Sequence, residues 1–232
     1  MDVLYVVGTV SICRHNELRY SLRSVARNFP HDRVIVAGHC PSWLQGTSCV
    51  PGKDTPRNRH KGIQGKILKA LESGKVGERF ALFCDDFYIL QPWTSDDMRY
   101  VGKLKERVRK AKSTRSPNDP WRKAIEATLA VCADMGLDDP LDFGSHHPFV
   151  MERDKAIKAL RFSLDLPVQV DINTLYCAMF GGDVEFVANA KGRRWKSPPS
   201  RAVYSSGPEV ERCKHFWAWL EAEFPDPCRY ER

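Results

Sequence analysis

The sequence predicts an α/β fold: a mostly parallel sheet flanked by helices, with a more helical C-terminal half. Three observations carry that expectation. Short apolar runs closed by glycine alternate with stretches of helical periodicity over the first ninety residues. The links between them are short, so consecutive strands should run parallel through right-handed crossovers. Beyond about residue 95, helical spacing dominates.

Residues 3–7, "VLYVV", form the first strand, ended by Gly8. "HNELRYSLRSVARNFP" follows as a helix with Leu18, Leu22, Val25, Ala26 and Phe29 on one face, Asn16 as N-cap and Pro30 as terminator. "RVIVAG" is the second strand, closed by Gly38. "DTPRNRHKGIQGKILKALESG" is the second helix, with Thr55 as N-cap, Pro56 at its first position, and Ile63, Ile67, Leu68 and Leu71 facing the core. "ERFALFCDDFYIL", residues 78–90, is the third strand, carrying Asp85 and Asp86 at its carboxyl end.

The second half reads as helices over "DDMRYVGKLKERVRKAKS", "PWRKAIEATLAVCADMG", "RDKAIKALRFSL" and "PEVERCKHFWAWLEAEF", with a strand at "VEFVAN". A boundary near residue 95 divides a ligand-binding half, 1–95, from a mainly helical partner-binding half, 96–232, of one compact domain.

Composition narrows the class. The chain has 232 residues, 42% hydrophobic and 28% charged, as ordinary globular domains do. No apolar run approaches the roughly 20 residues of a membrane span. "MDVLYVVGTV" reads as a strand rather than an export signal, so the expected compartment is the cytoplasm. Eight cysteines are scattered without a CxxC pair, which predicts free thiols and disfavours a zinc ribbon.

The net charge is +7, concentrated in two clusters. One runs from Lys103 to Arg115 and includes Lys105, Arg109 and Lys112; the other comprises Lys191, Arg193, Arg194, Lys196 and Arg201. Either alone reads as a solvated face. Together they suggest a polyanionic partner such as double-stranded DNA, or diphosphate contacts.

The acid pair is the sharpest feature. Open parallel sheets bind ligands beyond the carboxyl ends of their strands, where Asp85 and Asp86 stand. Two dehydrated carboxylates need compensation. A divalent cation, Mn²⁺ or Mg²⁺, supplies it, with water and phosphate oxygens filling its other positions. A salt-bridged or capping pair is the structural alternative. An ATPase is disfavoured because "GTVSICRHNE" after the first strand lacks the GxxxxGK[ST] loop. A haloacid-type phosphatase is disfavoured by the absence of a nucleophilic Asp there.

"NELRYSLRSVARNFPHDRVIVAGHCPSWL", a helix, then "FALFCDDFYIL", resembles the core of GT-A-type glycosyltransferases with their Rossmann-type sheet. The likeness over residues 3–93 is greatest to the Stealth group of sugar-phosphate transferases. "SHHPFVMERDKAIKAL", "DINTLYCAMFGGD" and "FPDPCRYE" are similar to segments of small phage-encoded glycosyltransferases. The resemblance implies a nucleotide-sugar donor such as a UDP-sugar, bound by 1–95, and an acceptor bound by 96–232. It places Asp85 and Asp86 at the metal-binding acidic motif. Cys84 stands where Stealth relatives often carry Asn, which leaves open which carboxylate meets the metal and whether metal is used at all.

Further candidates follow. His146 and His147 stand just before an expected helix; the resemblance implies that one of them completes the metal shell, and the alternative is a surface or capping role. Asp171 is either a helix N-cap or the general base, with Asp183 competing for the latter role. Thr9, Arg57, Asn58 and Lys61 are candidate donor contacts near a helix amino end. Lys105, Arg109, Lys112, Arg193 and Arg194 are candidate nucleic-acid contacts. Trp43 and Trp93 could stack a base or sugar, though lone tryptophans more often belong to the core.

The expected activity is metal-dependent transfer of a sugar to a hydroxyl acceptor, for instance a hydroxymethylated pyrimidine in phage DNA. A Stealth-like sugar-phosphate transferase acting on a glycan is one alternative. A non-catalytic nucleic-acid-binding protein is another.

Overall fold

In a computed structural model, residues 1–55 and 59–232 are described, so the expectations for Pro56, Arg57 and Asn58 lie outside the described residues. Alternation along the first strand, β1 (Asp2–Val7), divides the core into two layers. Val3, Tyr5 and Val7 pack on one side with Leu18, Leu22 and Val25 of α1 (Asn16–Asn28). Leu4 packs on the other side with Ile35 of β2 (Val34–Gly38) and with Ile67 and Leu71 of α2 (Arg59–Glu72). A strand buried on both faces between helices is what a near-continuous apolar run requires.

The remaining elements, in chain order, are β3 (Ser48–Val50), which precedes α2, then β4 (Arg79–Cys84), β5 (Phe87–Ile89), β6 (Met98–Tyr100), α3 (Leu104–Thr114) and α4 (Pro120–Asp134). They continue with β7 (Phe149–Glu152), α5 (Arg153–Asp165), α6 (Ile172–Phe180), β8 (Val184–Phe186), β9 (Val203–Ser205), α7 (Pro208–Glu211) and α8 (Lys214–Glu223). The central sheet has the order β3-β2-β1-β4-β7. Its first four strands are parallel, with Leu4 opposite both Ile35 and Leu82, and β7 closes the edge antiparallel to β4. The mostly parallel α/β architecture is therefore as expected.

The details differ in instructive places. The run at 78–90 is two strands. β4 stops at Cys84, and β5 leaves the sheet to pair antiparallel with β9, Phe87 opposite Ser205. Hydroxyls of α1 hold the diverted strand: Ser21 donates to the Phe87 carbonyl and Ser24 accepts from the Ile89 N–H at 2.9 Å. The helix expected to begin near Asp96 begins at Leu104, because Gly102 at φ +139° breaks the backbone after the short strand β6. The terminal helix is divided into α7 and α8, with the Trp217 indole N–H donating to the Glu211 carbonyl at 2.7 Å. The N-cap of α1 is His15 in the left-handed region, so Asn16 lies inside the helix.

Two further expectations fail. His146 and His147 precede β7, not a helix. The cysteines are not all free: Cys40 and Cys49 form a disulfide linking the end of β2 to β3. Among the described residues no helix is long and apolar enough to cross a membrane.

A candidate active site at the rim of the sheet

Asp85 and Asp86 occupy the corner at which the chain leaves β4 for β5. The Ser206 N–H donates to the Asp86 carbonyl at 3.1 Å, which fixes the corner against the end of β9. Around it gather two more carboxylates that the sequence did not single out. Glu17, in the first turn of α1, accepts from the Cys13 thiol at 2.7 Å. Glu211, at the end of α7, accepts from the Ser206 hydroxyl at 2.8 Å.

These four acids feel one another. Burial, then the charges of Asp86, Glu17 and Glu211, push the Asp85 carboxyl up to about 8. Burial raises Glu211 as well, with Asp86 and Glu17 adding to the shift. Burial also raises the Cys13 thiol to about 12, so it bonds Glu17 as a neutral donor.

Among the described residues, Lys191 answers the Asp86 part of this charge. Lys191 Nζ lies 2.7 Å from Asp86 Oδ2 and also donates to the Ser206 carbonyl. The Ser205 hydroxyl donates to the same carboxylate oxygen at 3.1 Å. Lys191 reaches inward because residues 190–192 lie beside β9: the Ser205 N–H donates to the Ala190 carbonyl, and the Gly192 N–H donates to the Ser205 carbonyl. Gly192 permits that approach, since a Cβ there would collide with the Tyr204 ring. Lys191 is thus removed from the basic surface cluster in which the sequence placed it.

Asp85 has no such partner: among the described residues no hydrogen bond or ion pair reaches its carboxylate from another side chain. A half-buried carboxyl without a cationic partner among the described residues, beside the Asp86 carboxylate, offers two oxygen ligands of the kind a hard divalent ion takes. Such ions bind through one or two carboxylates and keep water elsewhere. The described residues contain no group of three or more His, Cys, Asp or Glu placed to hold an ion. The fit therefore rests on the aspartate pair, without a histidine.

The two histidines part company. His146 approaches the Phe87 ring, with centroids 6.5 Å apart, and burial lowers its imidazole to about 4, with Lys191 and Asp86 among the charges it feels. His147 turns away, donating from Nδ1 to the Ser145 carbonyl at 3.0 Å, and lines a different cavity. His146 has φ +56°, and Arg14 and His15, in the loop that delivers Glu17, have φ +56° and +62°. These are the non-glycine positive-φ residues among those described, and all belong to segments framing the acid cluster. Such backbone is uncommon and concentrates at functional sites.

The other candidates are occupied structurally. Asp171 caps α6, accepting from the Thr174 N–H at 2.9 Å. The Thr9 N–H and hydroxyl both donate to Asp54, which is also ion-paired with the buried Lys66. Lys61 donates to the Leu164 and Leu166 carbonyls, closing the end of α5. Trp43 and Trp93 pack against the core, each under an arginine. Lys105, Arg109, Lys112, Arg193 and Arg194 are exposed. Lys105 and Lys112 share a groove with Glu126 and Asp138, so that face is mixed in sign.

The raised Asp85 has a consequence for stability. A carboxyl that holds its proton more tightly in the fold stabilises it fully below the ordinary value of 3.8, and that contribution drains away as pH rises towards about 8. Asparagine cannot ionise. The melting temperature of Asp85→Asn minus that of wild type should therefore widen from about pH 4 to about pH 8 and then level off. A difference independent of pH would show that the carboxyl is not desolvated.

No family model matches this chain, and no curated protein does. Its fold is similar to that of the galactosyltransferase LgtC, solved in complex with donor and acceptor sugar analogs. The TM-score is 0.52, covering 99% of this chain and 98% of that one, at 13% identity. The 2-C-methyl-D-erythritol 4-phosphate cytidylyltransferase from Thermus thermophilus matches over 97% of this chain and 98% of that one, at 15% identity and a TM-score of 0.48. At these identities the likeness to LgtC establishes a GT-A-like fold and nothing about chemistry.

Proposed function

We propose that this chain is a glycosyltransferase that takes a sugar from a nucleotide-sugar donor, with a divalent cation held by Asp85 and Asp86. The observation that carries this reading is the half-buried Asp85, without a cationic partner among the described residues, beside Asp86 at the carboxyl end of β4, next to the central strand of a GT-A-like sheet. A cation bound there would neutralise negative charge on a departing diphosphate. The chain's own part is positional. Ser206 and Ser205 fix the Asp86 backbone and side chain, and the Lys191 ammonium beside them is free to trade its carboxylate for a phosphate oxygen. Likeness in fold to a galactosyltransferase is consistent with this reading.

The direct test is a panel of nucleotide sugars incubated with the protein in Mn²⁺ or in chelator, following release of the nucleoside diphosphate. At least one donor should be hydrolysed slowly in Mn²⁺ and at background rate with chelator. Equal rates in both, or no turnover and no calorimetric binding of any donor, would reject the assignment.

A further inference from the structure

A second cavity, about 290 Å³, opens at the other end of the β5–β9 ribbon from Asp86. Asp86 precedes Phe87, which pairs with Ser205, whereas the cavity is lined by Val203, the partner of Ile89. Two residues of strand separate those positions, about 7 Å. The volume is near the lower end of small-molecule sites, roughly 300 Å³, and suits one sugar-sized unit. Nothing so far assigns it a role.

Its charged lining among the described residues is Arg99, Arg201 and Glu185, accompanied by Trp93, His147 and Gln91. Arg99 is the unusual member. Its side chain is nine-tenths buried, stacked 3.8 Å from the centroid of the Trp93 ring, with Nε 3.3 Å from Glu185. Nη2 reaches the Ser95 carbonyl at 3.4 Å, while Nη1 is buried with no hydrogen-bond partner. That atom has no accessible surface, so Arg99 lines the cavity without offering it a free donor. Arg201 stands at the same cavity, exposed, with Nη1 donating to the Asn189 carbonyl at 2.8 Å. Glu185, Asp97 and Asp96 all act on Arg99, so its charge is answered within the protein, whereas Arg201 has no carboxylate partner among the described residues and is the guanidinium left to meet an oxyanion, which such groups bind in bidentate fashion.

His147 refines the chemistry. A carbonyl can only accept, so the Ser145 bond requires the proton on His147 Nδ1 and leaves Nε2 as an acceptor when the ring is neutral. The cavity thus offers donors for an anion and an acceptor for a neighbouring hydroxyl. We propose that it binds a sugar-sized molecule bearing an oxyanion, carboxylate or phosphate, beside free hydroxyls, and serves as the acceptor subsite. The acceptor role rests on the glycosyl-transfer reading. The binding does not.

The test is therefore a binding measurement without donor. Glucuronate, glucose 6-phosphate and glucose would be titrated by calorimetry into wild type and Arg201→Ala. At least one of the two anions should bind about tenfold or more tightly than glucose, and the tighter one identifies the anionic group. Arg201→Ala should lose about tenfold or more of that affinity. It alters an exposed side chain, which keeps the test interpretable. Glucose binding as tightly as both anions, or undiminished anion binding by Arg201→Ala, would overturn the proposal whether or not donor hydrolysis is observed.

Discussion

Asp86→Asn should reduce sugar transfer by about 100-fold or more while leaving the fold in place. The substitution keeps the shape of the side chain and its capacity to accept from the Ser205 hydroxyl. It removes the charge that sits 2.7 Å from Lys191 and that completes the carboxylate pair with Asp85. Lys191 retains the Ser206 carbonyl and is partly exposed, so its loss of an anion is cushioned by water. Burial and charge at this corner favour protonation of Asp85, and removing the Asp86 charge relieves part of that pressure. Stability should therefore change little, and activity should fall steeply. Circular dichroism, a melting curve and a transfer assay on one preparation separate the two effects. Full turnover by Asp86→Asn would remove this residue from the mechanism.

The acid pair was legible in the sequence because strand, polarity switch and carboxylates are contiguous. Asp85 and Asp86 needed no knowledge of distant residues to be placed at a strand's carboxyl end. Lys191, Glu17 and Glu211 were not legible in the same way. Lys191 is 105 residues from Asp86 and sits in a basic run that looks like a solvated face, and only the pairing of 190–192 with β9 turns it inward. Glu17 looks like an ordinary first-turn acid of a helix, favourable there for the dipole alone. Local sequence could not distinguish these from surface charge.

Two misreadings share one cause. β3 is three residues long, "SCV", too short for alternation to register. With that strand unseen, nothing brought Cys49 beside Cys40, and the disulfide was unseen too. The central strands were readable because burial on both faces demands long apolar runs. The ribbons were not, because their partners, as β9 is for β5, come from far along the chain. Those same regions supply most of the site.

The largest effect on stability should come from Glu231→Gln. The Glu231 side chain is 1% exposed and is held by Arg23 from Nε at 2.7 Å and Nη2 at 2.9 Å, by Arg19 at 2.7 Å, and by the Cys228 N–H at 3.0 Å. Burial pushes its carboxyl up, but the bonds from Arg23, Cys228 and Arg19 outweigh that and hold it below the ordinary value. Removing the anion leaves two guanidiniums facing each other around a neutral amide. Breaking a buried pair from one side costs about 3–5 kcal/mol, or roughly 10 °C in melting temperature for a chain of this size. Both arginines lie on α1, the helix that also presents Glu17, so the loss should loosen the acid cluster together with the C-terminal strap. A depressed carboxyl stabilises the fold above its unfolded value and loses that contribution as pH falls, so wild type and Glu231→Gln should converge in acid. Glu223→Ala is the matched control: its bridge to Arg27 is long, 3.5 Å, and exposed, and should be worth under about 1 kcal/mol. Urea denaturation of both variants at neutral pH and well below pH 4 decides the matter. A Glu231→Gln loss no greater than that of Glu223→Ala would mean that the clamp does not bind the C-terminal segment to α1.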